Sequence, residues 1–367
     1  MSRLLCTICF LVSIAALPLS AEIRTDDHLF AQGAGARTMS LGNTFTGMAD
    51  DLNAVFYNPA GIAHLNGLHL LGLNSKRLID LDASTFLSAW SFGDAGTMAF
   101  GTTALAVPSI PLAGYDPVAD EYYVAGEASY EERVWVLSYA KALSRDLSTG
   151  ANLKYYKYGF DAGVAGYSST SAMGFDLDIG LLWKLDRQLS LGLAWQDVAG
   201  ALRGGGLEWS TGAIERFNGG PRLGLAYKWS WFGSHIEPLT IVLDEEFTEL
   251  YPARTHLGFE WVFMGALALR TGFEEKLLDN YGRVRFDNSY GIGLSFMGIS
   301  VDYAYCPNYG ESLDTKQFIS VSGMFDLTPQ IAASKTNPTA YQPKQDLKEV
   351  EELIKNTAEH DILGPTY

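Results

Sequence analysis

Cysteine is what this sequence has least of: three residues among 367, at positions 6, 9 and 306. Cys6 and Cys9 fall in an N-terminal leader, so a chain that sheds it keeps only Cys306 and cannot form an intramolecular disulfide. Basic residues are also scarce. Lys and Arg number 26 against 42 Asp and Glu, a formal charge of −16 that repels phosphates and excludes nucleic acid as a partner. The six His are scattered without metal spacing, and neither a Gly-x-Ser-x-Gly elbow nor a paired Cys or His motif occurs. The sequence reads as a protein that is not an enzyme and uses no metal and no cofactor.

Long apolar runs are missing too. Beyond Ser40 none approaches the roughly 20 residues that a membrane-spanning helix needs, which excludes a helical membrane protein. The single long run, Leu4 to Leu19, follows Arg3 and leads into Leu19-Ser20-Ala21, so residues 1–21 read as a secretory signal peptide. Pro18 and the short span argue against a retained helix. Cys6 and Cys9 come too early in the run for lipid attachment.

Glycine and aromatics are abundant instead: 38 Gly, 19 Tyr, 19 Phe and 8 Trp, with only 19% of residues charged. They fall into strict alternation. Leu223, Leu225, Tyr227 and Trp229 alternate with Gly224, Ala226 and Lys228, and Leu177, Ile179, Leu181 and Trp183 with Asp176, Asp178 and Gly180. Period 2 is the signature of a β-strand with two unlike faces. One face is greasy and ends in aromatics, while the other is small or polar with a few charges. That is the pattern of a strand with lipid outside and a crowded polar lumen inside.

About fourteen strands are predicted, starting near His69, Ala83, Thr97, Arg133, Leu147, Ala172, Gln188, Pro221, Glu237, Arg254, Gly265, Asp287, Gly298 and Gln317. Very short turns alternate with longer connections, of which Val107–Glu132 and Gly200–Gly220 are the longest. Membrane barrels show this asymmetry between their two ends. The fold class expected for residues 67–327 is therefore all-β, a transmembrane antiparallel barrel.

Residues 22–66 lack the alternation and have the size of a segment folded inside a barrel mouth. In "AVFYNPAGIA" (Ala54–Ala63), Asn58 is placed to cap a helix whose first residue is Pro59. Asp50 and Asp51 read as a surface cap or as salt-bridge partners of Arg37. "GAGARTMSLG" follows no strand and lacks the spacing of a nucleotide loop.

The stretch "GARTMSLGNTFTGMADDLNAVFYNPAGIA" (Gly35–Ala63) resembles the N-terminal hatch signature of the FadL family of outer-membrane transporters, and within it the PorV-like and spirochaetal branches. Arg37, Gly42, Asp50, Asp51, Asn58, Pro59, Ala60 and Gly61 carry the likeness. The resemblance implies a fourteen-stranded barrel of the bacterial outer membrane, plugged by residues 22–66. It also implies uptake of long-chain fatty acids or other hydrophobic molecules. The alternative within the resemblance is a non-transporting barrel, a PorV-like docking shuttle for secreted proteins or a surface antigen.

Three further groups of residues are candidates for function. Val107, Ile110, Pro111 and Leu112, in the longest connection, form an apolar cluster suited to capturing a hydrophobic ligand. Asp176, Asp178, Lys228, Glu260, Arg270 and Asp302 face the expected lumen, either as a substrate path or as a structural network. Residues 328–367 form a tail in which Leu347, Val350, Leu353 and Ile354 recur at helical spacing. This short amphipathic helix is expected in the periplasm, docking a partner or packing under the barrel. The wall itself is expected to contact outer-membrane lipid.

Overall fold

The computed structural model describes residues 23–25, 35–78, 81–164, 166–202, 204–230, 238–248, 253–277, 284–307 and 315–325. The expected signal peptide (1–21) and tail (328–367) lie outside them. The chain divides into two compact units, Met1–Asp326 and Leu327–Tyr367, and everything described belongs to the first.

Fourteen strands form the wall: β1 (Leu68–Leu78), β2 (Leu81–Ser91), β3 (Thr97–Asp116), β4 (Glu121–Ala142), β5 (Leu147–Asp161), β6 (Thr170–Lys184), β7 (Leu189–Gln196), β8 (Gly220–Trp229), β9 (Leu239–Glu246), β10 (Arg254–Phe263), β11 (Leu267–Leu277), β12 (Val284–Phe296), β13 (Ile299–Cys306) and β14 (Lys316–Phe325). Each pairs antiparallel with the next, and β14 returns to β1 with Phe325 opposite Leu68, so the sheet closes. Closure leaves no edge along the shared length of the wall, which satisfies the backbone without water.

The polarity is inside out. On β6 the apolar residues are exposed, Leu177 by 43% and Ile179 by 50%, while Asp176 and Asp178 between them are 0% and 1% exposed. The eight steps from Phe175 to Trp183 span about 26 Å of strand, or roughly 20 Å of height at a barrel tilt near 40°. That approaches the thickness of a barrel's apolar band. Exposed Trp90, Tyr139, Trp183, Tyr227 and Trp229 gather toward the end of the wall that holds the short turns. Farther up, Trp135, Tyr155 and Phe175 sit side by side on β4–β6, with ring centroids 5.5 and 4.9 Å apart. Among the described residues no helix is long and apolar enough to cross a membrane.

Two expectations about the connections are corrected. Val107–Glu132 is not a loop: β3 and β4 continue their pairing out to Asp116 and Glu121, joined by residues 117–120. Pro108 is absorbed where the register slips between Val107 and Ile110, because a bulge frees the ladder position that proline cannot fill, while Pro111 stands in register opposite Glu127. The alternation of short and long links is also imperfect. β1 and β2 are separated by residues 79–80 alone at the long-loop end, and β8 and β9 by residues 230–238 at the short-turn end. Residues 197–219 do form a long connection. It holds a helical turn (Val198–Ala201) and a hairpin (Gly206–Trp209 with Ile214–Phe217) that pairs with the upper part of β6.

Residues 35–66 pack against the inward face of the wall through α1 (Ala36–Ser40), α2 (Ala54–Tyr57) and a 3-10 turn (Pro59–His64). Leu41, Phe45, Val55, Phe56, Tyr57 and Ile62 are almost wholly buried. The helix expected after Asn58 is thus a 3-10 turn, but its start is as read. The Asn58 side chain accepts the N–H of Ala60 at 3.2 Å, and Pro59 occupies the first position.

Candidate functional site

The candidate site is the contact between this interior segment and the wall. The segment's own polar groups come first. Gly42 has φ +70°, a left-handed conformation that side chains disfavour, and an added Cβ would lie 2.5 Å from the backbone N of Phe273. At Gly61 an added Cβ would lie 2.0 Å from the Ala49 carbonyl. Asn58 does more than cap. Its amide donates to the carbonyls of Thr46 and of Leu181 on β6, each at 3.0 Å, so one side chain joins the turn, the preceding loop and the wall.

The wall answers with inward-pointing polar side chains, spaced around the barrel because every second residue of each strand faces in. Ser148 donates to the Ala60 carbonyl at 2.9 Å, Asn152 to Val55 at 2.8 Å and Gln196 to Phe56 at 2.6 Å. Across the lumen, Asp244 accepts the N–H groups of Phe45 and Thr46 at 3.0 Å, and Ser289 accepts that of Gly42 at 3.0 Å. Between these polar contacts the wall carries glycines against which the segment's backbone lies directly. An added Cβ would lie 1.9 Å from Thr46 O at Gly192, 2.6 Å from Leu41 O at Gly258 and 2.0 Å from Gly42 N at Gly272. The wall is shaped to the segment.

Charges complete the site in three groups. Arg37 reaches Asp50 and Asp51, each at 2.7 Å, as expected from the sequence, and also Glu260 at 2.8 Å on β10. Arg270 pairs with the same Glu260 at 2.6 Å and with Asp302 at 2.7 Å. In the second group Lys154, 1% exposed, lies between Asp178 at 2.6 Å and Asp197 at 2.5 Å. Asp176 has a different role: it accepts the N–H groups of Ala199 and Gly200, both at 2.9 Å, and so holds the long connection against β6. In the third group Arg222 pairs with Asp244 at 3.1 Å, donates to the Asn43 carbonyl, and places its guanidinium 5.4 Å from the centre of the Tyr57 ring. The expected luminal residues therefore split. Glu260, Arg270 and Asp302 share one network, Asp176 and Asp178 belong to another, and Lys228 stands exposed near the short-turn end of β8, apart from both. His64, at the end of the 3-10 turn, is pushed below the ordinary histidine value by burial and then by Lys184.

Lys154, Asp197, Arg222 and Asp244 were missed. Arg222 lies two positions before Gly224, so strand parity already placed it facing in. Lys154 shares the inward parity of Asn152 on β5. Asp197 lies in a connection, where no parity applies.

Among the described residues, cavities flank the segment at both ends. One of about 280 Å³, at the short-turn end, is lined by Arg37, Asp51, His69, Glu260, Arg270 and Asp302 among others. The other, about 60 Å³ toward the long-loop end, is lined by Met39, Glu274, Lys276, Asp287, Cys306 and Lys316. Val107, Ile110, Pro111 and Leu112 touch neither cavity. They lie on the projecting β3–β4 hairpin, partly to fully exposed. No group of three or more metal-ligating side chains occurs among the described residues.

A closed fourteen-stranded antiparallel wall, apolar outside and filled with polar contacts inside, defines the class of the membrane β-barrels. Solved structures share the barrel fold that the FadL-type resemblance implies. They include the toluene transporters TbuX of Ralstonia pickettii (TM-score 0.52, 13% identity, covering 80% of this chain and 98% of that one) and TodX of Pseudomonas putida (TM-score 0.52, 12% identity, 79% and 96%). The monoaromatic hydrocarbon channel CymD is similar as well (TM-score 0.51, 12% identity, 80% and 98%). No family model and no curated protein matches the sequence.

Proposed function

We propose that this chain is a bacterial outer-membrane channel for hydrophobic molecules, with residues 35–66 as its hatch. The observation that carries the proposal is the interior segment. It packs on the inward face of the wall and is joined to it by separate hydrogen bonds, each contributing a net ~1 kcal/mol, and by ion pairs. A segment held this way can shift without unfolding the barrel. The likeness in fold to toluene and monoaromatic hydrocarbon channels supports a hydrophobic cargo, with long-chain fatty acids as the particular cargo proposed here. The apolar side chains Val107, Ile110, Pro111 and Leu112 on the projecting hairpin would meet such a cargo first. The test is uptake of labelled oleate and labelled toluene into vesicles holding the full chain. Uptake above that of empty vesicles, lowered in an Ile110→Asp/Leu112→Asp variant, is expected. A parent no faster than empty vesicles overturns the reading.

A second reading is favoured by the charged side chains that share the lining of both cavities, Glu260, Arg270 and Asp302 in one and Glu274, Lys276 and Asp287 in the other. In it the barrel docks secreted proteins without conducting, or serves as a surface antigen, and the tail, residues 328–367, holds a periplasmic partner. Absence of uptake together with co-purification of a secreted protein with the intact chain would favour it.

A further inference from the structure

The outer wall of β4–β7 carries a depression that the hatch and lumen do not explain. The side chains Tyr139, Ala151, Ile179 and Trp195 stand opposite one another in one cross-strand row on the outward face. The next row reads Lys141, Thr149, Leu181 and Leu193. In both rows β5 contributes the small residue, Ala151 or Thr149, between larger neighbours. The result is a trough of about 450 Å³ lined by Tyr139, Thr149, Ala151, Ile179, Leu181, Leu193 and Trp195. Both its hydroxyls are already used: Thr149 donates to the Gly180 carbonyl at 3.0 Å, and Tyr139 donates to the Ala95 carbonyl at 2.7 Å. What remains is mostly apolar and faces the lipid.

The mouth of the trough is charged. Lys141 is exposed one residue from the end of β4, in the same row as Thr149, and makes no ion pair among the described residues. Arg145 is exposed in the turn that follows. Of the neighbouring acids, Asp146 is exposed in that same turn. Asp186, in the next turn along the rim, accepts the N–H groups of Gln188 and Leu189 at 2.6 and 2.8 Å and is committed to its own backbone. In a chain with a formal charge of −16, an apolar trough with two basic side chains at its mouth is a local departure from the overall charge.

We infer that this trough seats one acyl chain of an anionic phospholipid in the leaflet at the short-turn end, with the headgroup phosphate on Lys141 and Arg145. The inference rests on the exposed band facing a bilayer. An acyl chain matches the trough because its lining is mostly apolar and its hydroxyls are already hydrogen-bonded. An anionic headgroup matches its mouth because a basic side chain near such a surface favours binding by on the order of fivefold.

The full chain, purified in mild detergent with a mixture of phosphatidylglycerol and phosphatidylcholine, is tested by native mass spectrometry for retained lipid. The parent is expected to keep phosphatidylglycerol preferentially. Lys141→Gln/Arg145→Gln should lower that retention by roughly 25-fold, as two basic residues near the surface imply. Ala151→Phe, which fills the trough, should lower retention of both lipids. Heat-modifiable gel mobility shows that each variant is folded. Equal retention in parent and variants, or no preference in the parent, overturns the seat. Separately, brominated phosphatidylcholine should quench tryptophan emission from the chain in vesicles. Absence of quenching overturns the membrane reading itself rather than the seat alone.

Discussion

Arg37 and Glu260 are 223 residues apart in sequence and meet in a two-pronged ion pair, Nη2 to Oε1 at 2.8 Å and Nε to Oε2 at 2.9 Å. The pair joins α1 of the interior segment to the wall, and through Glu260 it continues to Arg270 and Asp302. Replacing Arg37 by Ala takes the shared cation from Asp50, Asp51 and Glu260; because Arg270 still pairs with Glu260, the cost falls below the ~3–5 kcal/mol of an orphaned buried charge. The wall should still assemble, because its ladder is untouched. Ion conductance in planar bilayers should rise, and amides of residues 36–41 should lose protection from hydrogen exchange. Arg37→Lys should recover only part of the effect, since an ammonium cannot bridge both oxygens of Glu260 in parallel.

Asn58 separates capping from anchoring. Asn58→Asp keeps the oxygen that caps Ala60 but loses the amide that donates to Thr46 and Leu181. If capping alone matters, about 0.5–2 kcal/mol is at stake and Asp preserves it. The geometry predicts instead that Asn58→Asp opens the barrel about as much as Asn58→Ala. Single-channel conductance of the two variants, measured side by side, decides between these outcomes.

The glycine contacts predict a sharp contrast between positions. Gly192→Ala and Gly272→Ala would drive a methyl into the backbone of the interior segment, whereas Gly72, on β1, has open space where a Cβ would stand. Gly72→Ala should leave conductance and thermal stability unchanged. The other two should loosen the segment, seen as faster proteolysis within residues 35–66 while the wall keeps its strand signal in circular dichroism.

Lys154 should hold the long connection in place. Lys154→Met leaves Asp178 and Asp197 facing each other without a cation, so the connection 197–219 should become a protease target in the folded barrel. The triple variant Lys154→Met/Asp178→Asn/Asp197→Asn should recover part of the resistance, because removing Lys154 together with its two ion-pair partners is less costly than removing the cation alone. Similar cleavage of parent and Lys154→Met would show that the ion group does not hold the connection.

Some of this structure was legible in the sequence because it depends on local periodicity. Side-chain direction alternates along a strand whatever lies beside it, so Leu177 and Ile179 could be placed outward and Asp176 and Asp178 inward before any pairing was known. Asn58 before Pro59 and Arg37 near Asp50 and Asp51 are contacts within about twenty residues, and residue chemistry suffices for them. The tertiary structure decided what depends on register and closure. Parity put Glu260, Arg270, Asp302 and Lys228 on the same face, but only the stagger of the closed sheet shows that the first three meet while Lys228 stands at the rim. Likewise, the glycines at 192, 258 and 272 read simply as small residues until the interior backbone is seen against them. Pro108 looks like a loop breaker until a bulge absorbs it. Local chemistry chose the faces of the strands, and closing fourteen of them into one ring chose which residues on those faces touch.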